Sequence, residues 1–212
     1  MHVASLQHEK YKYKIEFQVF FFLLTFNHFP IMLVKSLFLF FAVSSVTAAA
    51  ANRGSYIING LGQRKQEILK SGGGIYDVAI AMLETDNLNT DYPYGDNKSG
   101  DSTNFGIFKQ NWFMLRSSAS QFKGQSAGDV KHGEVLNKDL KADIKARQES
   151  QQFYGADKWF AGHRNGESGL NNPHTQDIEN YKAGVNWIHD QLASDKKYLS
   201  DDTRFWVDVV AI

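Results

Sequence analysis

The segment Ile75–Glu84 constrains the fold most, because it predicts a helix with one apolar face that ends at a carboxylate. Its apolar residues follow one another at i, i+3, i+4, i+7 and i+8: Ile75, Val78, Ala79, Met82 and Leu83. The glycines at residues 72–74 interrupt the chain before it. Residues 87–104 are polar and rich in glycine, which predicts turns or a short hairpin. Glu84 is therefore expected where a buried helix meets a polar loop.

Helical patterns also cover residues 105–116, 137–153, 156–164 and a segment that Thr175 caps. The first of them places three aromatic side chains on one side: Phe105, Phe108 and Trp112. The last has a stripe that is expected to be buried: Ile178, Tyr181, Val185, Ile188 and Leu192. Residues 205–210 predict a short strand or an extended packing segment. Because no repeat or long linker is visible after residue 52, we expect one α+β domain that is mainly helical.

Two carboxylates in unlike surroundings suit glycoside hydrolysis, which needs one protonated and one ionised carboxyl group. Partial burial at the end of a helix is expected to raise the pKa of Glu84, because the charged form loses hydration and faces the negative end of the helix dipole. Asp96 lies twelve residues further on, between Gly95 and Asn97. These polar neighbours favour an anion that activates water.

The spacing alone leaves the assignment open. A glutamate at a helix end followed by an acidic turn is common and usually structural. Asp86, Asp91 and Asp101 are equally available as loop acids, and Glu167 is a further candidate in a glycine-flanked segment.

Three segments in order resemble parts of animal c-type lysozymes: residues 83–90 (LETDNLNT), 102–111 (STNFGIFKQN) and 158–165 (KWFAGHRN). The resemblance implies a lysozyme-like fold in which Trp159 forms an apolar wall beside Glu84. Asn104 stands where the lysozyme hairpin has an aspartate, and the loop before it is longer and holds Asp96. The lysozyme cysteines are also missing.

This combination resembles glycoside hydrolase family 134, a family of secreted, inverting endo-β-1,4-mannanases with a lysozyme-like fold. The matching segments are residues 91–101 (DYPYGDNKSGD) and 104–112 (NFGIFKQNW). The resemblance implies a small β-hairpin lobe beside the cleft, with Glu84 as general acid and Asp96 as general base. In inverting enzymes the two carboxyl groups stand about 6.5–9.5 Å apart, which leaves room for a water molecule.

Residues expected to bind substrate flank the carboxylates, and each has a structural alternative. The candidates are Tyr92, Tyr94, Asn97, Asn104, Gln110, Asn111, Trp159, His163, Arg164 and Asn165. The tyrosines would stack on sugar rings, while the amides would bind hydroxyl groups or position the water. The last three belong to residues 162–169, predicted as a loop that borders the cleft opposite the hairpin. Asn97 also begins a glycosylation sequon, which we expect to be unoccupied because a glycan there would block the cleft.

The N-terminus predicts secretion. Residues 32–51 have the charged start, apolar run and small residues of a signal peptide. Residues 1–31 are then interpreted as an over-extended start, and residues 52–212 as the catalytic domain. The alternative joins residues 17–24 and 31–46 into a membrane anchor.

Composition and motifs exclude other classes. The formal net charge is zero, which argues against nucleic acid and anionic membranes as partners. The scattered histidines show no metal-ligand spacing, and no phosphate loop, dinucleotide fingerprint or serine-hydrolase elbow is visible. We therefore expect no metal and no cofactor, a monomer, and a polysaccharide substrate, either β-1,4-mannan or manno-oligosaccharides. Two alternatives remain: a lysozyme- or chitosanase-like hydrolase of another β-1,4-glycan, and a secreted carbohydrate-binding protein without catalysis.

Overall fold

The computed structural model describes residues 52–210. The predictions for residues 1–31 and 32–51 lie outside this part of the chain. The helices are α1 (Leu61–Lys70), α2 (Ile75–Glu84), α3 (Trp112–Ser118), α4 (Leu140–Tyr154), α5 (Ala156–Asn171) and α6 (Gln176–Ser194). The strands are β1 (Arg53–Ile57), β2 (Asn104–Phe105), β3 (Gln110–Asn111) and β4 (Thr203–Val207). Short 3₁₀ segments lie at Tyr94–Asn97, Gly100–Ser102, Ala127–Asn137 and Lys196–Leu199.

Helix α2 forms the centre of the larger core. The backbone N–H of Gly74 donates to Asp77 Oδ2 at 2.8 Å, which fixes the start of the helix. Its residues from Val78 to Met82 are fully buried, so the helix is enclosed on all sides and not on one face alone. Helix α6 packs along it and contributes Tyr181, Val185, Ile188 and Leu192 to the same core. This packing places Glu84, the last residue of α2, beside α5 and α6.

Two small antiparallel sheets flank the helices. Strand β1 pairs with β4 in the register Arg53↔Val207, which brings the two ends of the described chain together. Strands β2 and β3 form a hairpin in the register Asn104↔Asn111. A second core lies under this hairpin and contains Phe105, Trp112, Leu115 and Phe122. The architecture confirms the prediction of an α+β fold that is mainly helical. No helix within residues 52–210 combines the length and the apolar character that crossing a bilayer requires.

The prediction of a helix over residues 105–116 is wrong in its first half. Residues 104–111 form the hairpin, and the helix begins only at Trp112. The connection between the strands has φ 74° at Gly106 and φ 47° at Lys109, a left-handed conformation that no helix of L-residues sustains. Gly106 is required for a second reason, because a Cβ there would lie 2.0 Å from Asp143 Oδ1.

One further prediction was wrong, and one helix was not predicted. Residues 162–169 are not a loop but belong to α5, which is kinked at Asn165 and Gly166. Helix α1 was not predicted at all. It is fixed to the C-terminal segment by the buried ammonium of Lys65, which donates to the backbone oxygens of Tyr198 (2.6 Å), Thr203 (2.7 Å) and Asp201 (2.8 Å).

Candidate active site

Glu84 and Asp96 line one cavity of about 210 Å³. Glu84 comes from the end of α2, and Asp96 from the loop before the hairpin. The hairpin, α5 and α6 supply most of the other polar walls: Asn104, Lys109, His163, Arg164 and Tyr181. Two carboxyl groups from separate elements therefore share one polar cavity.

Glu84 is held by two hydrogen bonds to a single oxygen. The Tyr181 hydroxyl donates to Glu84 Oε1 at 2.5 Å, and His163 Nε2 lies 3.0 Å from the same atom. Within the described part of the chain Oε2 makes no hydrogen bond, although the side chain is only 16% exposed. Oε2 is therefore the atom on which a transferable proton would sit.

The surroundings of Glu84 lower its pKa, although the sequence predicted a rise. Burial alone would raise the pKa of this carboxyl. The hydrogen bond and positive charge of His163, the Tyr181 hydroxyl and the charge of Lys109 outweigh burial and hold the pKa below its ordinary value. Burial raises the pKa of Tyr181 well above the ordinary value for a phenol, so this side chain stays a hydrogen-bond donor. The sequence predicted apolar surroundings for Glu84, whereas the structure surrounds its carboxyl group with hydrogen-bond donors.

Trp159 supports His163 and does not face the substrate. Its ring is 1% exposed and stacks on the His163 imidazole, with centroids 4.9 Å apart and planes inclined by 5°. The prediction of Trp159 as a substrate-binding residue is wrong, because a ring buried in this way has no free face for a sugar. The stack instead orients the imidazole that contacts Glu84.

Asp96 lies in a strained turn. Gly95, Asp96 and Asn97 have φ values of 61°, 59° and 59°, three left-handed residues in succession. Non-glycine residues in this conformation cost energy and are found preferentially at functional sites. Lys109 Nζ lies 3.1 Å from Asp96 Oδ1, so an ion pair joins the turn to the hairpin.

The Asn104 amide lies beside the same carboxylate. Its nitrogen is 3.3 Å from Asp96 Oδ2 in one orientation. In the reverse orientation, which satisfies the amide better, the nitrogen donates to the backbone oxygens of Ser102 and Lys109 at 3.2 Å each. In both orientations Asn104 borders the cavity, and its role in substrate binding stays a prediction.

Tyr92 braces the hairpin. Its hydroxyl donates to the backbone oxygen of Gly106 at 2.7 Å, and Lys109 Nζ lies 5.1 Å from its ring centroid. Burial, together with the negative charges of Asp143, Asp96 and Glu84, raises its pKa, so the phenol keeps its proton. Tyr92 also borders another cavity, of about 240 Å³, that adjoins the first one.

Gln110 and Asn111 are engaged inside the protein. Gln110 is 2% exposed, and its amide donates to the backbone oxygen of Asp143 (3.0 Å) and to Oδ1 of the same residue (2.7 Å). The Asn111 amide donates to the backbone oxygen of Gly162 at 2.9 Å and accepts from the backbone N–H of Met114 at 3.0 Å, which caps α3. These contacts hold Gln110 inside the protein, away from four cavities that residues 52–210 form, so it is not placed to bind substrate there. Asn111 also lines the cavity of about 630 Å³ that contains Asn165 and Glu167, and its role in substrate binding stays a prediction.

Tyr94 and Asn97 lie at the surface. Among residues 52–210, neither side chain lines a cavity that contains Glu84 or Asp96. The Tyr94 ring is 53% exposed and meets Phe105 edge-on at 6.0 Å. Asn165 donates to Asp177 Oδ2 at 2.8 Å and borders a second cavity together with Glu167. Asp101 is paired with Arg116 through two contacts of 2.6 and 2.7 Å, which gives this loop acid a structural role.

Two further cavities adjoin the cavity of Glu84 and Asp96. The second cavity, of about 630 Å³, shares Lys98, Asn104, His163 and Arg164 with it. The cavity of about 240 Å³ shares Glu84 and Lys109 with it. Each of the two carboxyl groups therefore lies close to space beyond its own cavity.

Three residues that shape this site were not predicted to do so from the sequence: Tyr181, Lys109 and Asp143. The sequence pattern places Tyr181 in a buried stripe and Lys109 in a helix. Asp143, fully buried in α4, accepts hydrogen bonds from the backbone N–H of Ile107 and the Gln110 amide, both at 2.7 Å. Burial raises the pKa of Asp143 to about 8. No local pattern marks these residues, because their partners lie on other elements.

The chain matches the model of a known protein family. The family model described as Glycosyl hydrolase family 134 matches residues 62–209, nearly all of the described chain. No curated protein matches the sequence.

Proposed function

The chain belongs to glycosyl hydrolase family 134 and is a glycoside hydrolase, and we propose that it is a secreted endo-β-1,4-mannanase that inverts the anomeric carbon. The observation that carries the proposal is the shared cavity of Glu84 and Asp96. The likeness of residues 91–101 and 104–112 to the mannanases of this family supports the choice of substrate. The predicted signal peptide at residues 32–51 supports secretion.

Glu84 acts as the general acid. Its Oε2 gives a proton to the glycosidic oxygen while the bond from that oxygen to the anomeric carbon breaks. The negative charge that remains is shared with Oε1, which already accepts from Tyr181 and faces His163 Nε2. Donors preorganised around a developing charge lower the barrier because they need no reorganisation during the reaction. Tyr181 and His163 therefore make Glu84 a stronger acid.

Asp96 acts as the general base. A water molecule attacks the anomeric carbon from the face opposite the leaving oxygen, and Asp96 takes one of its protons. The ion pair with Lys109 holds the carboxylate in position. At Asn104 the chain has a neutral amide, which can act neither as a nucleophile nor as a general base, so the base is Asp96. After each turnover solvent returns a proton to Glu84 and removes one from Asp96.

The neighbouring cavities support the proposal of endo-action. Cavities adjoin the catalytic cavity on the side of Asn104 and His163 and on the side of Glu84 and Lys109. Space on two sides of the carboxyl groups suits cleavage within a polymer, since a closed end would restrict cleavage to chain termini.

The test is hydrolysis of linear β-1,4-mannan by the wild-type protein and by Glu84→Gln and Asp96→Asn. Both substitutions keep the side-chain volume but remove the acid or the base, and each is expected to lower kcat by at least about a hundredfold. Thermal unfolding of each variant checks that the fold persists. Full activity in either variant would remove that residue from the mechanism. Hydrolysis of chitosan or peptidoglycan in place of mannan would favour the alternative glycan substrates, and sugar binding without new reducing ends would favour a non-catalytic protein.

A further inference from the structure

A groove of about 630 Å³ runs along α6 next to the catalytic cavity. One wall is a single face of the helix, from Gln176 through Asn180 and Gly184 to Trp187. The eleven residue-to-residue steps from Gln176 to Trp187 correspond to about 16 Å of helix. The opposite wall is formed by the end of β4 and the residues that follow, from Val207 to Val210.

Small residues on α6 create the hollow. Ala183 is exposed on the groove face, and Gly184 lies directly under the C-terminal segment. A Cβ at Gly184 would stand 3.1 Å from Val209 Cγ2, so helix and segment approach closely at the floor. A larger side chain at position 183 would fill the space above that floor.

The groove adjoins the catalytic cavity. Arg164, Val207 and Val209 line both of them. The Arg164 guanidinium donates to the backbone oxygen of Val210 and lies beside Asp177, so it stands between the cavity and the groove. The same guanidinium lies 5.6 Å from the centroid of the Tyr181 ring, and the hydroxyl of this tyrosine holds Glu84. A sugar chain that runs from the catalytic cavity into the groove therefore passes over Arg164.

The groove lining fits an uncharged carbohydrate. Trp187 and the valines offer apolar surface to the C–H faces of sugar rings, while the amides of Gln176 and Asn180 suit hydroxyl groups. The ionic residues balance in formal charge, with two arginines, Arg53 and Arg164, and two aspartates, Asp177 and Asp208. A lining without net charge does not favour a polyanion. The Arg53 guanidinium lies over the Trp187 ring at 5.1 Å and adds hydrogen-bond donors at the far end.

We propose that this groove is an additional substrate-binding site, which takes the sugar residues of a β-1,4-mannan chain that extend beyond the catalytic cavity past Arg164. The inference rests on the proposed function, and it adds a region of the protein that the carboxylates alone do not reveal. A longer substrate then gains contacts that a short one lacks, so the enzyme prefers chains that reach along α6.

The test compares Ala183→Phe with Ala193→Phe. Both residues are exposed alanines on α6, but Ala193 lines none of the four cavities. The measurement is kcat/KM on linear manno-oligosaccharides of increasing length, expressed as the ratio of the longest to the shortest cleaved substrate. We expect Ala183→Phe to lower this ratio about tenfold, equivalent to the loss of one good contact region. Ala193→Phe should leave it unchanged.

A second variant, Asn180→Ala, removes a hydrogen-bonding amide without adding bulk and should lower the same ratio about threefold. Its result decides the proposal if Ala183→Phe does not fold. An unchanged ratio in the folded groove variants, with normal mannan hydrolysis by the wild-type enzyme, overturns the groove and leaves the proposed function intact. A wild-type enzyme that does not cleave mannan at all overturns the proposed function, and the groove site with it.

Discussion

Replacing Tyr181 with phenylalanine removes one donor to the general acid without emptying the core. The ring packs against Phe160 at 5.9 Å and His163 at 5.5 Å, and phenylalanine keeps both contacts. The hydroxyl that disappears lies 2.5 Å from Glu84 Oε1. Glu84 then keeps its contact with His163 Nε2, and Lys109 and Arg164 still line its cavity.

The size of the effect follows from the type of bond. A hydrogen bond to a charged group contributes about 1.5–3 kcal/mol, and 1.36 kcal/mol corresponds to one pKa unit. Little of this is lost to solvent screening, because Tyr181 is 2% exposed. Removing the donor destabilises only the anion, so the pKa of Glu84 rises in the variant. A general acid works while it is protonated, and the alkaline limb of the pH–rate profile therefore moves to higher pH, by roughly one unit or more.

The assay is kcat/KM on linear mannan as a function of pH for the wild type and Tyr181→Phe. The rate at the optimum should fall about tenfold, because the carboxylate formed during proton transfer loses a donor. Tyr76→Phe is the matched control: its hydroxyl donates to Asn186 at 2.5 Å, and its ring also packs against Phe160. This control should reproduce the wild-type profile. An alkaline limb that stays in place, or moves to lower pH, in Tyr181→Phe would refute the role given to the Glu84 contacts.

Three further substitutions test the hairpin and its supports. Lys109→Ala breaks the ion pair with Asp96. It should lower kcat on mannan roughly tenfold because the base is less well positioned, whereas the melting temperature should change little. An unchanged kcat would contradict this role of Lys109. Gly106→Ala places a Cβ 2.0 Å from Asp143 Oδ1, whereas Gly124→Ala, also at positive φ, meets nothing within 4 Å; calorimetry should show a clearly larger loss of stability for the first, and equal losses would contradict the contact. The pKa of Asp143 is about 8 when folded, above its unfolded value of about 3.9, so the folded protein binds the extra proton and this residue's stabilisation falls as the pH rises from about 4 to 8, by at most about 1.4 kcal/mol per pH unit. Urea unfolding across that range should show a shallower decline in Asp143→Asn, and parallel curves would contradict the buried titration.

The proposed catalytic pair could be selected from the sequence because its signals are local. The period of the apolar residues in Ile75–Glu84 places Glu84 at the end of a buried helix, and the polar segment after it contains Asp96. Resemblance to a known family then selected this pair among several loop acids. The same local rules gave the position of α6, which follows Thr175.

The family resemblance implied the hairpin, but the spacing of apolar residues predicted a helix there, because two patterns compete in the same residues. Phe105, Phe108 and Trp112 have helical spacing, and all three are buried, but in the structure they belong to a strand, a turn and a helix start. The prediction that these side chains are buried is correct, but the predicted backbone conformation is wrong. The deciding features are the left-handed φ of Lys109 and the close approach of Asp143, which the spacing of apolar residues does not encode.

The residues that tune Glu84 were beyond sequence patterns for a different reason. His163 and Tyr181 lie 79 and 97 positions away along the chain, and they meet the carboxyl only through the packing of α5 and α6 beside α2. For this reason the sequence predicted a raised pKa from burial, whereas the assembled site contains donors that lower it.

The central claim is that water displaces the leaving sugar in a single step, with Glu84 as the acid and Asp96 as the base. The most direct test is ¹H NMR of linear β-1,4-mannan during the first minutes of hydrolysis, before the new reducing ends mutarotate. The account predicts that the α-anomer appears first, since a single displacement inverts the β-linkage. Initial formation of the β-anomer would show a two-step reaction through a covalent intermediate, and would contradict the roles given to both carboxylates.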